Sequence, residues 1–154
     1  MTPRIDYGRR VPEGLKAMLT LDSYVRRCGI EPSLLDLINI RASQINGCAY
    51  CIYLHSHEAR SRGQSEERIY LLNAWRESPL YSERERAALA WTEAVTLVSE
   101  THVSNEVFAE ARRHFSEEEL VNLTIAVANI NALNRLAISM RAVHQAETGA
   151  NWRT

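Results

Sequence analysis

Two cysteines three residues apart, followed by a histidine, are the residues of this chain best suited to chemistry. They lie within residues 46–55, as Cys48, Cys51 and His55, and the chain of 154 residues contains only one further cysteine, Cys28. On an α-helix each residue advances by about 100°, which places the three motif side chains on one face. A dithiol with an adjacent imidazole predicts a redox-active thiol site.

The spacing of these residues also predicts their roles. A thiol becomes a strong nucleophile only after it loses its proton, and a helix N-terminus or a nearby imidazole lowers its pKa. We predict Cys51 as the attacking thiolate, His55 as its proton acceptor, and Cys48, exposed at the helix end, as the resolving thiol of a Cys48–Cys51 disulfide. Asp36, on the preceding helix, is the predicted carboxylate that orients His55 or relays its protons.

Four further blocks of sequence make the motif more specific than C-x-x-C alone. They are residues 41–47 directly before the motif, residues 74–78, residues 86–97 and residues 134–137. Together with Asp36 and the C-x-x-C-x-x-x-H pattern, these blocks resemble the alkylhydroperoxidase D (AhpD)-like branch of the carboxymuconolactone decarboxylase superfamily. The resemblance covers about residues 12–144, which is most of the chain.

The resemblance implies an all-α homo-oligomer, a trimer or a hexamer, that reduces peroxides through a dithiol–disulfide cycle. In the family's scheme the second cysteine attacks the peroxide and the first resolves the product, which are the roles of Cys51 and Cys48 here. The histidine relays protons with a carboxylate, and these roles fall on His55 and Asp36. An external dithiol of lipoyl or thioredoxin type would restore both thiols, and no cofactor is expected.

Two positions depart from the family pattern. The family's carboxylate is usually a glutamate, and Asp36 is one methylene shorter, so a water bridge can replace direct contact. A second histidine often precedes the attacking cysteine, whereas Tyr50 stands here; its phenol donates hydrogen bonds but is a poor base at neutral pH. We expect a weaker or differently tuned peroxidase. The residues predicted to line or border the substrate pocket are Tyr50, Tyr53 and Leu54.

Other uses of the same residues remain open. The two motif cysteines and His55 could bind zinc, with Asp36 or His57 as a fourth ligand. Structural zinc sites usually draw on a second, separated cysteine pair, which this sequence lacks, so no metal is expected. The alternative function is a metal-binding or redox-sensing module without peroxide turnover. A purely oligomeric protein with an idle thiol site is a further alternative.

The elements that must position the motif are helices. Apolar residues recur with helical periodicity and no segment alternates like a strand, which predicts an all-α fold. The motif helix should run over about residues 48–62, with the C-x-x-C at its N-terminus. A long last helix over about residues 117–147 is apolar on most sides and should be buried centrally or between subunits. We predict one domain over residues 1–154, with a core of about 12–147.

Two features outside the motif also carry expectations. Cys28 has no partner cysteine close in sequence and should be a packed or unreactive thiol. Asn134 and Arg135 interrupt the apolar last helix. Because a buried arginine needs acceptors, we expect a salt bridge or a hydrogen-bonded cluster at these positions.

Composition limits the possible partners. Hydrophobic residues make up 45% and charged residues 24%, which is typical of a soluble globular protein. The formal net charge of −1, with acids and bases intermixed, predicts neither a nucleic acid nor a membrane partner. No apolar run approaches the ~20 residues of a membrane span, and the N-terminus lacks a signal-peptide core. We therefore predict a cytoplasmic protein.

Overall fold

The computed structural model describes residues 2–144, and within that range the chain is helical without β-strands. The predicted all-α class is confirmed. A 3₁₀ helix, Leu71–Glu77, lies between α5 and α6. The α-helices are α1 (Tyr7–Arg10), α2 (Pro12–Val25), α3 (Pro32–Asn46), α4 (Ala49–Ser61), α5 (Glu66–Tyr70), α6 (Glu83–Thr96), α7 (Val98–Thr101), α8 (Asn105–His114) and α9 (Glu117–Met140).

Serines start four of these helices because their hydroxyls accept a hydrogen bond from an otherwise unpaired backbone N–H of the first turn. Two of the four form complete capping boxes, in which Glu85 and Glu119 bond back to the backbone of the N-cap residue. Helices α2 and α3 begin instead at a proline, which suits the first helical position. The four capping residues are Ser65, Ser82, Ser104 and Ser116.

The central element is α3, which packs against α4, α6 and α9. Its side chains Leu37, Ile38 and Ile40 are fully buried. Ile38 belongs to a core cluster shared with α6, α8 and α9, whereas Leu37 and Ile40 pack with Leu72 and Trp75 of the 3₁₀ helix. Because close packing holds α3 on both sides, its C-terminal end is a fixed point from which the cysteine motif starts.

The last helix, α9, is shorter than predicted. It ends at Met140, and Arg141 caps it in the left-handed region at φ 54°, so the expected continuation to residue 147 is wrong. Residues 145–147 lie outside the described part of the chain. The predicted burial holds for one side of α9, whereas Val121 and Ile138 are exposed.

Within residues 2–144, α9 is the helix whose length and mean hydropathy of 1.2 would permit a membrane span. It packs against α2, α3 and α6 as a core helix. Core helices of soluble proteins meet the same criterion, so a single helix of this kind is weak evidence for a membrane protein.

The short helices α1 and α7 have four residues each and were not predicted, since one turn carries no periodic pattern. Asp6 caps α1 by accepting a hydrogen bond from the backbone N–H of Arg9. Just before it, the backbone N–H of Arg4 donates to the carbonyl of Met140 at 2.9 Å, and its guanidinium donates to that of Ser139 at 3.0 Å. The N-terminal segment is therefore tied to the C-terminal end of α9.

Candidate functional site

The turn between α3 and α4 positions the two cysteines. Gly47 ends α3 in the left-handed region at φ 68°, which glycine adopts without a side-chain penalty. The backbone N–H of Cys48 then donates to the carbonyl of Ser43 at 2.9 Å, and Cys48 becomes the N-cap of α4. Its Sγ accepts a hydrogen bond from the backbone N–H of Cys51 at 3.4 Å. The predicted location of the C-x-x-C motif at a helix N-terminus is confirmed.

Both motif cysteines are free thiols and both are buried, Cys48 with 1% and Cys51 with 4% of its surface exposed. They pack against Ala137 of α9, with Tyr50 at the edge of the cluster. The expectation that Cys48 is exposed at the helix end is therefore wrong, because α9 covers the start of α4. Cys28 is partly buried and packs against the main core, as expected of a packed thiol.

The two thiols of the motif differ in pKa. The hydrogen bond from the Cys51 thiol lowers the pKa of Cys48 to about 7, and the backbone N–H groups of Cys51 and Tyr50 act in the same direction against burial. The same thiol contact, together with burial, raises the pKa of Cys51. The first proton lost by the pair therefore leaves a thiolate on Cys48, while Cys51 keeps its proton.

A carboxylate holds the imidazole of His55, which is itself 4% exposed. Nδ1 of His55 lies 3.0 Å from Oε2 of Glu58, one turn further along α4. The hydrogen bond from His55 lowers the pKa of Glu58 to about 2, and the charges of Arg26 and Arg62 act in the same direction. An ionised Glu58 favours the proton of His55 on Nδ1, so Nε2 is the nitrogen available to exchange a proton.

Asp36 occupies a different position from the one predicted. Its buried carboxylate accepts hydrogen bonds from the guanidinium of Arg62, with Nε 2.9 Å from Oδ2 and Nη2 against Oδ1. Glu58, not Asp36, contacts His55, and this corrects the predicted partner. Arg62 also lies 3.7 Å from Glu58, so Asp36 is connected to His55 through Arg62 and Glu58. The sequence signal for Glu58 was its i,i+3 spacing from His55 on one helix.

Asn134 of α9 is fully buried against the cysteine turn. Its amide donates to Oγ of Ser43 at 3.0 Å, and its Oδ1 accepts a hydrogen bond from Asn46 at 2.9 Å. A hydrogen bond from Asn134 also acts to lower the pKa of Cys51, against the stronger effect of Cys48. Arg135 donates to the backbone and side chain of the residue one turn earlier. The hydrogen-bonded cluster expected at these positions is present, but Arg135 is exposed, so the expected burial of the arginine is wrong.

A cavity of about 240 Å³ opens beside Cys51 and His55. Cys48 is not among the described residues that line it, so Cys51 is the motif cysteine that faces this cavity. Tyr50 and Leu54 line the cavity, but Tyr53 does not: its ring stacks on His144, with ring centroids 4.4 Å apart. The remaining walls are mostly apolar and include Leu15, Leu19, Leu133 and Leu136, with Tyr7 of α1. The ion pair of Asp22 and Arg26, 2.7 Å apart, also lines the cavity.

The residues considered as zinc ligands do not assemble. Within residues 2–144, no group of three or more histidine, cysteine, aspartate or glutamate side chains is arranged to hold a metal ion. Asp36 is bound to Arg62, and the ring of His57 packs at 4.5 Å from that of Tyr53. The described site therefore offers a dithiol, an imidazole and an apolar cavity, which are suited to redox chemistry at sulfur.

Residues 12–94 match the sequence model of the carboxymuconolactone decarboxylase family. The chain is 41% identical to YdfG, an uncharacterized protein of Bacillus subtilis strain 168, over 140 residues that cover 91% of this chain and 95% of the relative. This coverage extends the similarity well beyond the cysteine motif.

Two solved structures share the fold over nearly the whole chain. ATU0492 of Agrobacterium tumefaciens, a protein of unknown function for which the role of antioxidant defence protein AhpD has been suggested, is 45% identical with a TM-score of 0.93, covering 95% of this chain and 100% of that one. The debrominase Bmp8 is 27% identical with a TM-score of 0.77, covering 89% and 74%. By these similarities, the chain belongs to the carboxymuconolactone decarboxylase family and, within it, to the AhpD-like branch.

Proposed function

We propose that this protein is a thiol-dependent peroxidase that cycles Cys51 and Cys48 between dithiol and disulfide. The observation that carries the proposal is that Cys51 and His55 open into one mostly apolar cavity, while Cys48, which packs with Cys51 but does not line the cavity, has the lower pKa. The antioxidant role suggested for ATU0492 supports the same class of reaction.

The first step oxidises Cys51. Its sulfur attacks the terminal oxygen of a hydroperoxide, so that an S–O bond forms and the O–O bond breaks. The thiol proton passes to Nε2 of His55 and from there to the departing alkoxide, which leaves as an alcohol. Glu58 stabilises the transient imidazolium, because its carboxylate is ionised and hydrogen-bonded to Nδ1. The product is a sulfenic acid on Cys51.

The second step forms the disulfide. The Cys48 thiolate attacks the sulfenic sulfur of Cys51 and expels hydroxide, which becomes water by taking a proton from solvent. The low pKa of Cys48 suits this resolving role, whereas the cavity position of Cys51 suits the attacking role. An external dithiol then reduces the disulfide by two successive exchanges and leaves as its own disulfide.

The cellular setting is part of the same proposal. We infer a lipoyl- or thioredoxin-type dithiol as the reductant and a reducing cytoplasm as the compartment, because such dithiols are kept reduced there. We also infer a homo-oligomer, a trimer or a hexamer, from the family resemblance. Analytical ultracentrifugation of the purified protein measures the assembly directly.

The decisive experiment is a thiol count before and after stoichiometric cumene hydroperoxide, timed by stopped flow and followed by mass spectrometry. Wild type should lose two thiols rapidly, and Cys51→Ser should lose none. Cys48→Ser should form one sulfenic acid, on Cys51, and no disulfide. Cys28→Ser is the matched control and should behave like wild type, because Cys28 packs against the main core.

Two results would contradict this scheme. Sulfenic acid on Cys48 in a reactive Cys51→Ser protein would exchange the two roles. Thiol loss in wild type no faster than that of a free thiol would reject peroxidase activity and leave redox sensing by disulfide exchange as the function to test.

Reductive dehalogenation is a second candidate, favoured by the Bmp8 similarity. A variant of that debrominase was solved in complex with 2,3,4-tribromopyrrole, and it is 26% identical to this chain with a TM-score of 0.77. Oxidation of the Cys48–Cys51 dithiol to a disulfide releases two electrons and two protons, which balance the conversion of an aryl bromide to an arene, bromide and one proton. Bromide release from 2,3,4-tribromopyrrole by the reduced protein, compared with Cys51→Ser, tests this candidate.

A further inference from the structure

Tyr7 belongs to α1, far from the cysteine motif in sequence, yet it lines the cavity that contains Cys51 and His55. Its placement follows from the anchoring of the N-terminal segment, in which Arg4 hydrogen-bonds the C-terminal end of α9. Tyr7 also borders an open groove of about 850 Å³ formed by residues 4–11 with part of α9. It therefore forms part of the wall between the thiol cavity and the outer surface.

The phenol of Tyr7 is positioned and protonated to act as a donor. Tyr7 is partly buried, and its hydroxyl makes no hydrogen bond to any residue within the described range 2–144. Burial raises the pKa of Tyr7, and the nearby Tyr50, Cys51 and Cys48 add to the effect. A phenol with a raised pKa keeps its proton at neutral pH and has it available for an acceptor in the cavity.

The reaction creates such an acceptor. When the O–O bond breaks, negative charge develops on the departing oxygen inside an apolar cavity before the proton arrives from His55. Donors placed where charge develops lower the barrier more in an apolar site than in water. Two other donors line the cavity: Tyr50, from the first turn of α4, and Arg26, whose guanidinium donates to Asp22 and Glu58. Tyr7 supplies a further donor from a separate element, and its hydroxyl has no bond to either carboxylate.

We propose that Tyr7 is a catalytic residue that donates a hydrogen bond to the leaving oxygen of the hydroperoxide and to the alcohol that this oxygen becomes. The proposal rests on the peroxidase function proposed above. Tyr7 keeps its proton throughout: sulfur supplies the two electrons that reduce the peroxide, and the proton of the alcohol comes from Cys51 through His55.

The test uses Tyr7→Phe, which removes only the hydroxyl. With cumene hydroperoxide the second-order rate constant for sulfenic acid formation should fall about tenfold, the usual effect of one lost hydrogen bond. With peracetic acid the loss should be much smaller, because acetate is a weak base and needs little help to leave. Tyr70→Phe is the matched control, since the Tyr70 phenol is exposed and bonded to Glu66 outside the cavity. Equal losses with both peroxides would indicate general damage to the site and would overturn the proposal.

A binding measurement separates this proposal from the proposed function. The reduced protein is titrated with 2-phenyl-2-propanol, the alcohol formed from cumene hydroperoxide, and the dissociation constant should rise about fivefold to tenfold in Tyr7→Phe only. If wild type does not react with peroxides but binds the alcohol more tightly than Tyr7→Phe does, the peroxidase function is rejected, and Tyr7 is still shown to donate a hydrogen bond in the cavity. If wild type reduces peroxides and Tyr7→Phe equals it in both assays, the function stands and Tyr7 is excluded. No alcohol binding by wild type also excludes Tyr7 as a donor to the product.

Discussion

At the scale of single residues, the site separates two properties that a reactive cysteine usually combines. Cys48 has the lower pKa, because the thiol of Cys51 and two backbone N–H groups point at its sulfur, but it is shielded from the cavity. Cys51 reaches the cavity and shares it with His55, but it keeps its proton longer. Attack therefore depends on proton removal by His55, and resolution depends on a thiolate that is already formed.

This separation predicts how the sulfenic acid responds to pH. The pKa of Cys48 is about 7 while the Cys51 thiol donates to it, and oxidation of Cys51 removes that donor, so below about pH 7 Cys48 is largely protonated and resolves the sulfenic acid more slowly. Between about pH 8 and about pH 6 the thiolate fraction, and with it the rate of disulfide formation, should fall at least tenfold, which is about the change for a pKa of 7. Dimedone added after peroxide should therefore trap more sulfenic acid on Cys51 at the lower pH, as measured by mass spectrometry. Equal trapping at both pH values would show that another group resolves it.

The pairing of His55 with Glu58 predicts a defect in the first step. Glu58→Gln keeps a side chain of similar size but removes the charge that stabilises an imidazolium at His55. Peroxide attack by Cys51 should slow about tenfold or more, as read from the rate of sulfenic acid formation in Cys48→Ser. Glu110→Gln is the matched control, because Glu110 contacts His114 at 3.3 Å on α8, outside the cavity. If Glu110→Gln slows sulfenic acid formation as much as Glu58→Gln does, the slower attack results from lost stability and not from the proton relay.

At the scale of elements, the site depends on how firmly the end of α3 is joined to α4 and α9. Asp36 and Arg62 connect α3 to the C-cap of α4, and Asn134 connects α9 to the turn that contains the cysteines. Farther from the cavity, Arg41 and Trp75 both donate to Glu93 at 2.8 Å. Several of the sequence blocks that signal the family therefore stabilise the scaffold and do not contact the reacting atoms.

The Asp36–Arg62 pair predicts a loss of stability with little loss of chemistry. Asp36→Asn leaves Arg62 without its buried counter-charge, and hydrogen bonds to charged groups contribute about 2 kcal/mol each. Because Arg62 is partly exposed and also contacts Glu58, we expect the free energy of unfolding to fall by about 2 kcal/mol in total. Glu13→Gln breaks an exposed pair with Lys16 and should cost less than about 1 kcal/mol in the same urea titration. A large drop in peroxide reactivity without destabilisation would return the relay role to Asp36.

Substitution of Gly47, the glycine that ends α3, should lower both the stability of the fold and the rate of disulfide formation. Gly47→Ala meets no atom within 4 Å, so its cost is backbone strain at φ 68°, about 1–2 kcal/mol of unfolding free energy. Gly29→Ala is the control, with equally open surroundings, and should cost at least as much, because its φ of 91° lies farther from the left-handed region that alanine can adopt. Only Gly47→Ala should also slow disulfide formation, because relief of its strain moves the N-cap Cys48. Equal rates in the two variants would show that the turn tolerates the change.

At the scale of the whole molecule, the features that depend on local sequence patterns could be predicted, whereas those that depend on tertiary contacts could not. The helical class and the N-terminal position of the C-x-x-C motif follow from periodicity and from the break at Gly47, both visible in sequence. The burial of Cys48 requires α9 to cross the start of α4, and the pairing of Asp36 with Arg62 joins residues 26 positions apart. Such contacts have no local signature. The orientation of Tyr53 toward His144 likewise depends on where the chain after α9 returns.

The partly buried charge of Glu58 leads to one last prediction, for the stability of the whole fold against acid. Its pKa is about 2 in the folded protein, whereas an unfolded glutamate has a pKa of about 4.3. A depressed pKa stabilises the fold above the unfolded value, and this stabilisation is lost as pH falls toward the folded one. From about pH 6 to about pH 3.5, wild type should lose about 1 kcal/mol more unfolding free energy than Glu58→Gln.

Urea titrations at the two pH values measure the difference, with Glu110→Gln compared in parallel as an exposed carboxylate. The other carboxylates of depressed pKa, Glu31, Glu93, Glu106 and Glu119, are present in all three proteins, so their effects cancel. If wild type and Glu58→Gln lose the same unfolding free energy between the two pH values, Glu58 is protonated as easily in the folded chain as in the unfolded one. Glu58 would then not be an ionised carboxylate able to stabilise an imidazolium at His55.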